Sequence, residues 1–126
     1  MSDGITERAI RVLRDEIAPV AGEIDRDESA LRAALGVLAR EGLLALKRPL
    51  DRGGPALPET EFRTFQEEVA RASGALAFLQ TQHQSAVGMI AGGENERLKD
   101  EILPHAHDGG RLVGIGFSQL RRPGPP

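Results

Sequence analysis

Along the first part of the chain, Ile10, Leu13, Ile17, Val20 and Ile24 recur in alternating steps of three and four, which places all five on one helical face. A helix is therefore expected over residues 6–25, with acids and arginines on its other side. Pro19 interrupts it: proline lacks a backbone donor and crowds the preceding turn, so a kink or a two-part helix is expected there. Residues 29–41 repeat the pattern with Leu31, Leu35 and Leu38, with Ser29 as candidate N-cap and Gly42 where a left-handed residue ends a helix.

The stretch GLLALKRPLDRGGPALPETEF, residues 42–62, then changes character. Leu43, Leu44 and Leu46 ask for burial, while Pro49, Gly53, Gly54 and Pro55 exclude regular structure. The pattern is that of a helix-to-helix connection with one buried segment. A third helix opens at Pro58, with Glu59 and Glu61 at its positive end, and runs to about residue 73 with Phe62, Phe65, Val69 and Ala72 as its stripe. A fourth covers residues 75–91, with Leu76, Leu79, Val87 and Ile90 on one side and His83 on that same side. A fifth covers residues 94–106, carried by Leu98, Ile102 and Leu103, and Asp108–Gly110 makes a turn. Residues 112–118, LVGIGFS, read as a strand, being short, β-favouring and broken by glycine; the final LRRPGPP suits neither strand nor helix.

The pattern predicts an all-α fold, a bundle of about five helices, with one short C-terminal strand that would begin a β-domain. Residues 1–110 are expected to form the helical domain and residues 111–126 the first strand and loop of a further one. A lone strand leaves its backbone groups unpaired, so it points to a partner outside the helices.

Composition narrows the function classes. The 126 residues contain four Phe and no Trp, Tyr or Cys, and carry a formal net charge of −3. The core must be aliphatic, base stacking and a basic stripe for nucleic acid are not supplied, and disulfides and thiolate chemistry are excluded. Residues 72–93 hold no Asp, Glu, Lys or Arg, a span long enough for a bilayer, but its middle reads QTQHQS, which membrane depth disfavours. A buried or cavity-facing helix follows, with no membrane partner, and the mixed-charge N-terminus suggests a cytoplasmic address.

No complete catalytic constellation emerges. His105 and His107, two apart, point in different directions on a helix and have no patterned acidic partner, so no metal site is expected. The glycines at 53–54, 92–93 and 114–116 lack phosphate-loop or dinucleotide spacing.

Four segments together nevertheless resemble the N-terminal helical domain of the acyl-CoA dehydrogenase/oxidase family: EIAPVAGEIDRD (16–27), LAREGLLALKRPLDRGGPAL (38–57), EEVARASGALAFLQTQH (67–83) and LKDEILPHAHDGGRLVGIGFS (98–118). The resemblance covers nearly the whole chain. It implies a homo-oligomeric FAD enzyme that oxidises CH–CH groups of acyl-CoA thioesters, with the catalytic base and most of the flavin site in regions that this chain does not contain. The N-terminal domain's share is to wall the acyl pocket and brace the β-domain. The resemblance makes Gln80, Gln82, His83 and Ser85 the substrate-pocket candidates and Phe117 and Ser118 the flavin contacts, with no catalytic residue in this chain. Alone, the chain is expected neither to hold FAD nor to turn over substrate. It would need a homo-oligomer or a partner chain that supplies the β and C-terminal domains.

Two departures stand out. Arg52 occupies the place where the family carries an aromatic before the GlyGly, and FSQLRRP replaces a turn that carries Thr and Glu toward the flavin. The second departure leaves room for the flavin-dependent monooxygenase branch of the same fold family. A helical interaction module without catalysis is a further reading.

Overall fold

The structure, a computed structural model, describes residues 2–115. Its helices are α1 (Ser2–Val12), α2 (Ala21–Arg26), α3 (Glu28–Arg40), α4 (Glu59–Ala72), α5 (Gly74–Gly92) and α6 (Glu96–Ile102). These are the expected five, the first being broken in two. No strand occurs among the described residues: 112–115 form no ladder, and the rest of the expected strand lies outside them.

The break precedes and includes Pro19. Leu13–Ile17 widen into a π-turn, in which the Ala18 N–H reaches back to Leu13, and Ala18–Val20 then tighten into a 3₁₀ turn. Loosening and tightening around Pro19 accommodate a ring that an α-helical turn would crowd. The changed winding turns one apolar position outward: Ile17 and Ile24 stay buried, but Val20, expected on the stripe, is exposed. Ahead of the break, Ala9 and Val12 are buried as well. Leu98 on α6 is likewise more exposed than its spacing suggested.

Helix α3 starts one residue earlier than expected and is capped by Asp27, whose carboxylate accepts both the Ser29 N–H and the Ser29 hydroxyl. Ser29 therefore lies inside the helix, bonded to the cap. At the other end Gly42 is left-handed, with φ +73°. Gly42 N–H bonds the Ala39 carbonyl and Leu43 N–H the Leu38 carbonyl, so the last turn closes on itself and delivers Leu43 beside Leu38, both fully buried. Arg8 donates to the Glu41 carbonyl at this same end.

From there residues 43–49 run through the core without helix or strand, and a short 3₁₀ turn follows at Leu50–Arg52. Leu43, Leu44 and Leu46 are completely buried, each contributing about 1.5–3 kcal/mol of apolar burial. Leu46 and Arg48 accept bonds from Leu57 and Ala56, which folds 46–57 into an irregular hairpin around the glycines. Helix α4 packs along α5 and against α1, and Phe62 and Phe65 lie 6.4 Å apart, centre to centre, at the base of the loop. A smaller apolar cluster of Ala45, Val87, Leu103 and Ala106 fastens the end of α6 to α5. Among the described residues no helix is long and apolar enough to cross a membrane.

Candidate functional site

Helix α5 is the centre of the candidate site. Its 19 residues contain no Asp, Glu, Lys or Arg, and Ser73 caps it by accepting the Leu76 N–H. Leu76, Gln80, His83, Gln84 and Val87 face inward and are buried, whereas Phe78 and Met89 are 71% and 52% exposed. Positions 78, 82, 85 and 89 share one helical face, so the outer stripe reads Phe78, Gln82, Ser85, Met89.

The four pocket candidates therefore divide. Gln82 and Ser85 lie half-buried on the outer stripe, and Ser85 lines a groove of about 280 Å³ with Lys47, Glu59, Phe62, Gly88 and Met89. The Lys47 stem crosses this groove against Gly88, where a Cβ would sit 3.5 Å from it. Its ammonium lies 5.0 Å from the Phe62 ring centre and pairs with Glu59. Gln80 and His83 instead point into the core, each with internal partners.

Those partners explain why polar side chains sit inside. Gln84 Nε2 donates to the Leu43 carbonyl and to Gln80 Oε1, both at 2.9 Å, while its Oε1 accepts the Leu46 N–H at 2.9 Å. Gln80 passes the chain on by donating to Gln66 Oε1 on α4 and to the Ala77 carbonyl. His83 Nε2 meets the Ala106 carbonyl at 2.7 Å, and its Nδ1 accepts the Val113 N–H at 3.1 Å. A carbonyl accepts only and an amide N–H donates only, so this ring is neutral with its proton on Nε2. Burial holds its pKa below the usual imidazole range, opposed by the Ala106 bond and the Asp108 charge.

Gln84 was absent from the sequence candidates. A signal for it existed: an apolar, non-helical run must find partners for its buried backbone groups, and an amide on a facing helix supplies both a donor and an acceptor. Nothing local says which amide.

A second cleft, about 520 Å³, opens between α3, Leu79 of α5 and the 108–112 turn. Its walls are Leu31, Leu35, Leu79 and Leu112, and Glu28, Arg32 and Asp108 stand at its rim. Glu28 and Arg32 pair with each other in solvent.

The glycine loop is not a phosphate cradle. Gly53 N–H bonds Leu50 and Gly54 N–H bonds Pro49, so its donors face inward. Arg48 is spent on the Leu103 and Gly53 carbonyls, and Arg52 on Glu96 and Asp100. Among the described residues, these loop donors and both guanidiniums are therefore engaged within the chain. Phe117 and Ser118, the flavin contacts that the resemblance implies, lie outside the described residues. Among the described residues, no cluster of three or more His, Asp or Glu could hold a metal ion.

Comparison with known proteins gives this architecture a family. The sequence model described as "Acyl-CoA dehydrogenase, N-terminal domain" matches residues 3–110. Mitochondrial isovaleryl-CoA dehydrogenase of Pongo abelii is 28% identical over 118 residues, 91% of this chain and 28% of that protein. A probable acyl-CoA dehydrogenase, fadE25, of Mycobacterium bovis is 30% identical over 88% of this chain and 29% of its own length. A 3-(aryl)acrylate reductase of Clostridium sporogenes is 26% identical over 67% of this chain and 23% of its own. The chain thus spans less than a third of these relatives, and no solved structure matches it at comparable significance. With the family model covering the whole helical bundle, the chain belongs to the acyl-CoA dehydrogenase family, as that family's N-terminal domain.

Proposed function

We propose that this domain walls the acyl pocket of an FAD-dependent acyl-CoA dehydrogenase-like oxidoreductase acting on CH–CH groups, and braces the β-domain that binds the flavin. The observation that carries the reading is the uncharged length of α5 with its outer stripe of Phe78, Gln82, Ser85 and Met89. A charge-free wall costs little to desolvate against an acyl chain, and two neutral polar groups suffice to orient one. Gln82 and Ser85 would face the substrate. Gln80 and His83 would act from behind, fixing α5 against the buried segment and the exit from α6.

In the complete enzyme the flavin would accept the hydride. The chain's own share is to bind, orient and exclude water, since no described residue is placed as an acid, base or nucleophile toward a shared site. The domain would work within a homo-oligomer or with a partner chain that supplies the remaining domains.

The experiment is flavin retention. The 126-residue chain mixed with FAD should leave gel filtration colourless. Co-produced with a polypeptide encoded downstream of Pro126, it should yield a yellow complex that bleaches on addition of an acyl-CoA. A yellow chain by itself would overturn the division of labour. A colourless complex, or one that acyl-CoA leaves oxidised, would favour the non-catalytic interaction module.

A further inference from the structure

The cleft of about 520 Å³ between α3, Leu79 and the 108–112 turn is apolar at its walls and charged at its rim. Leu31, Leu35 and Leu79 line it, and Leu112, 39% exposed, completes the wall three residues before the described chain ends at Ile115. The rim sets two carboxylates, Glu28 and Asp108, against one guanidinium, Arg32, which leaves one negative charge in excess. Glu28 and Arg32 pair in solvent, where such a bond is worth little and yields readily. Asp108 Oδ1 accepts the Gly110 N–H, and Arg111, next along the turn, is engaged with Glu101.

A segment that matches this cleft follows directly in the sequence. Residues 116–122 read GFSQLRR, with two large apolar side chains, Phe117 and Leu120, then Arg121 and Arg122, and no acid. Gly114 and Gly116 flank Ile115, which gives the chain the freedom to reverse there. The six residues from Ile115 to Arg121 reach up to about 20 Å. That length brings the apolar pair and the arginines within range of a cleft whose own wall includes Leu112.

We propose that residues 116–122 fold back onto the helical bundle and fill this cleft, with Phe117 and Leu120 on its leucines and Arg121 and Arg122 on Glu28 and Asp108. Two considerations favour this occupant over a separate molecule. A tethered segment acts at an effective concentration on the order of millimolar, so a modest contact is enough to hold it. Its charge is also opposite to that of the rim, which fixes the direction in which it lies.

The consequence bears on the domain that follows. The family resemblance assigns residues 112–118 to the first strand of a β-domain, with Phe117 toward the flavin. Under the function proposed above, the cleft would hold this segment until the β-domain takes it, covering a β-favouring stretch whose unpaired edge would otherwise invite pairing between copies. The docking itself does not rest on that reading, because it follows from the cleft and the residues after Ile115.

Nuclear magnetic resonance on the 126-residue chain tests this. The Phe117 ring should show nuclear Overhauser contacts to the methyl groups of Leu31 and Leu79, unchanged on dilution and absent between differently labelled copies. Arg121→Glu combined with Arg122→Glu should weaken these contacts several-fold, and high salt should weaken them in part. Phe117→Ser combined with Leu120→Ser should raise several-fold the broadening of the Leu31 and Leu79 methyl signals by a dissolved nitroxide, while the fully buried Leu38 methyls stay unchanged. Absence of the Phe117 contacts, contacts found only between copies, contacts indifferent to the charge reversal, or unaltered broadening in the serine variant would each overturn the docking. None of these readouts needs flavin or acyl-CoA, so a failure here is distinct from a failure of the proposed function.

Discussion

The side chain of Gln84 stands where a β-strand partner would stand for Leu46: its Oε1 takes the Leu46 N–H and its Nε2 serves the Leu43 carbonyl, 38 and 41 residues away in sequence. One amide on a helix satisfies both faces of a buried turn of irregular backbone. The apolar segment can therefore cross the core without a sheet.

Gln84→Leu keeps the bulk and removes all three of its bonds, leaving the buried Leu46 N–H and Leu43 carbonyl unpaired and taking the donor from Gln80 Oε1. The expected cost is about 3 kcal/mol, seen as a melting temperature lowered by roughly 10 °C. Gln82→Leu, half-buried on the outer stripe, should change the melting temperature by only a degree or two. Equal effects from the two substitutions would refute the role given to Gln84.

Gly54→Ala tests the loop. A Cβ at this position would sit 2.2 Å from the Arg48 carbonyl oxygen, a backbone atom that cannot swing aside. The hairpin must open, at a cost of at least about 2 kcal/mol in urea denaturation. Gly53→Ala meets only strain from its left-handed φ of +79°, for which about 1 kcal/mol is expected.

The Asp27 cap sets an acid dependence at the start of α3. Its pKa is lowered by the Ser29 hydroxyl bond first and by the Ser29 backbone N–H second. A carboxylate whose folded pKa lies below its unfolded one stabilises the fold above the unfolded value of 3.8 and loses that contribution as pH falls through the folded value. Asp27→Asn retains an acceptor for the helix end but cannot titrate. Its denaturation midpoint should therefore depend less on pH than that of the natural chain between pH 5 and pH 2. Parallel profiles would contradict the cap assignment.

Arg52 makes a two-pronged ion pair, reaching Asp100 at 2.6 Å and Glu96 at 3.2 Å on α6. The carboxylates are largely exposed, so the pairs serve to position α6 more than to stabilise the whole fold. Arg52→Ala should speed amide exchange over residues 96–102 several-fold and leave α3 and α4 unchanged. High salt should produce part of the same loosening in the natural chain. Insensitivity of α6 to both treatments would remove Arg52 from this role.

Much of the architecture was legible in the sequence because it rests on local rules. The three-and-four spacing of apolar residues marked the helices, Pro19 marked the break, Gly42 marked a left-handed end, and the leucines at 43, 44 and 46 announced a buried connection. Four segments in order carried the family resemblance that the match over residues 3–110 establishes. Periodicity misplaced Val20 because the π-turn and the 3₁₀ turn that follows it change the winding at that point, and spacing alone does not reveal where a helix widens. Ser29 yielded the cap to Asp27 because both side chains can serve, and backbone dihedrals decide between them.

Sequence by itself determined where the helices lie, most of their apolar faces, and which family the chain resembles, since each depends on residues close together or on a pattern along the chain. Only the tertiary structure decided that Gln84 pairs with the buried segment, that His83 is a neutral pin between Ala106 and Val113, and that Arg48 and Arg52 fasten the loop to α6. Those partners lie tens of residues apart, and a buried polar group finds its match only once the helices that carry it have packed.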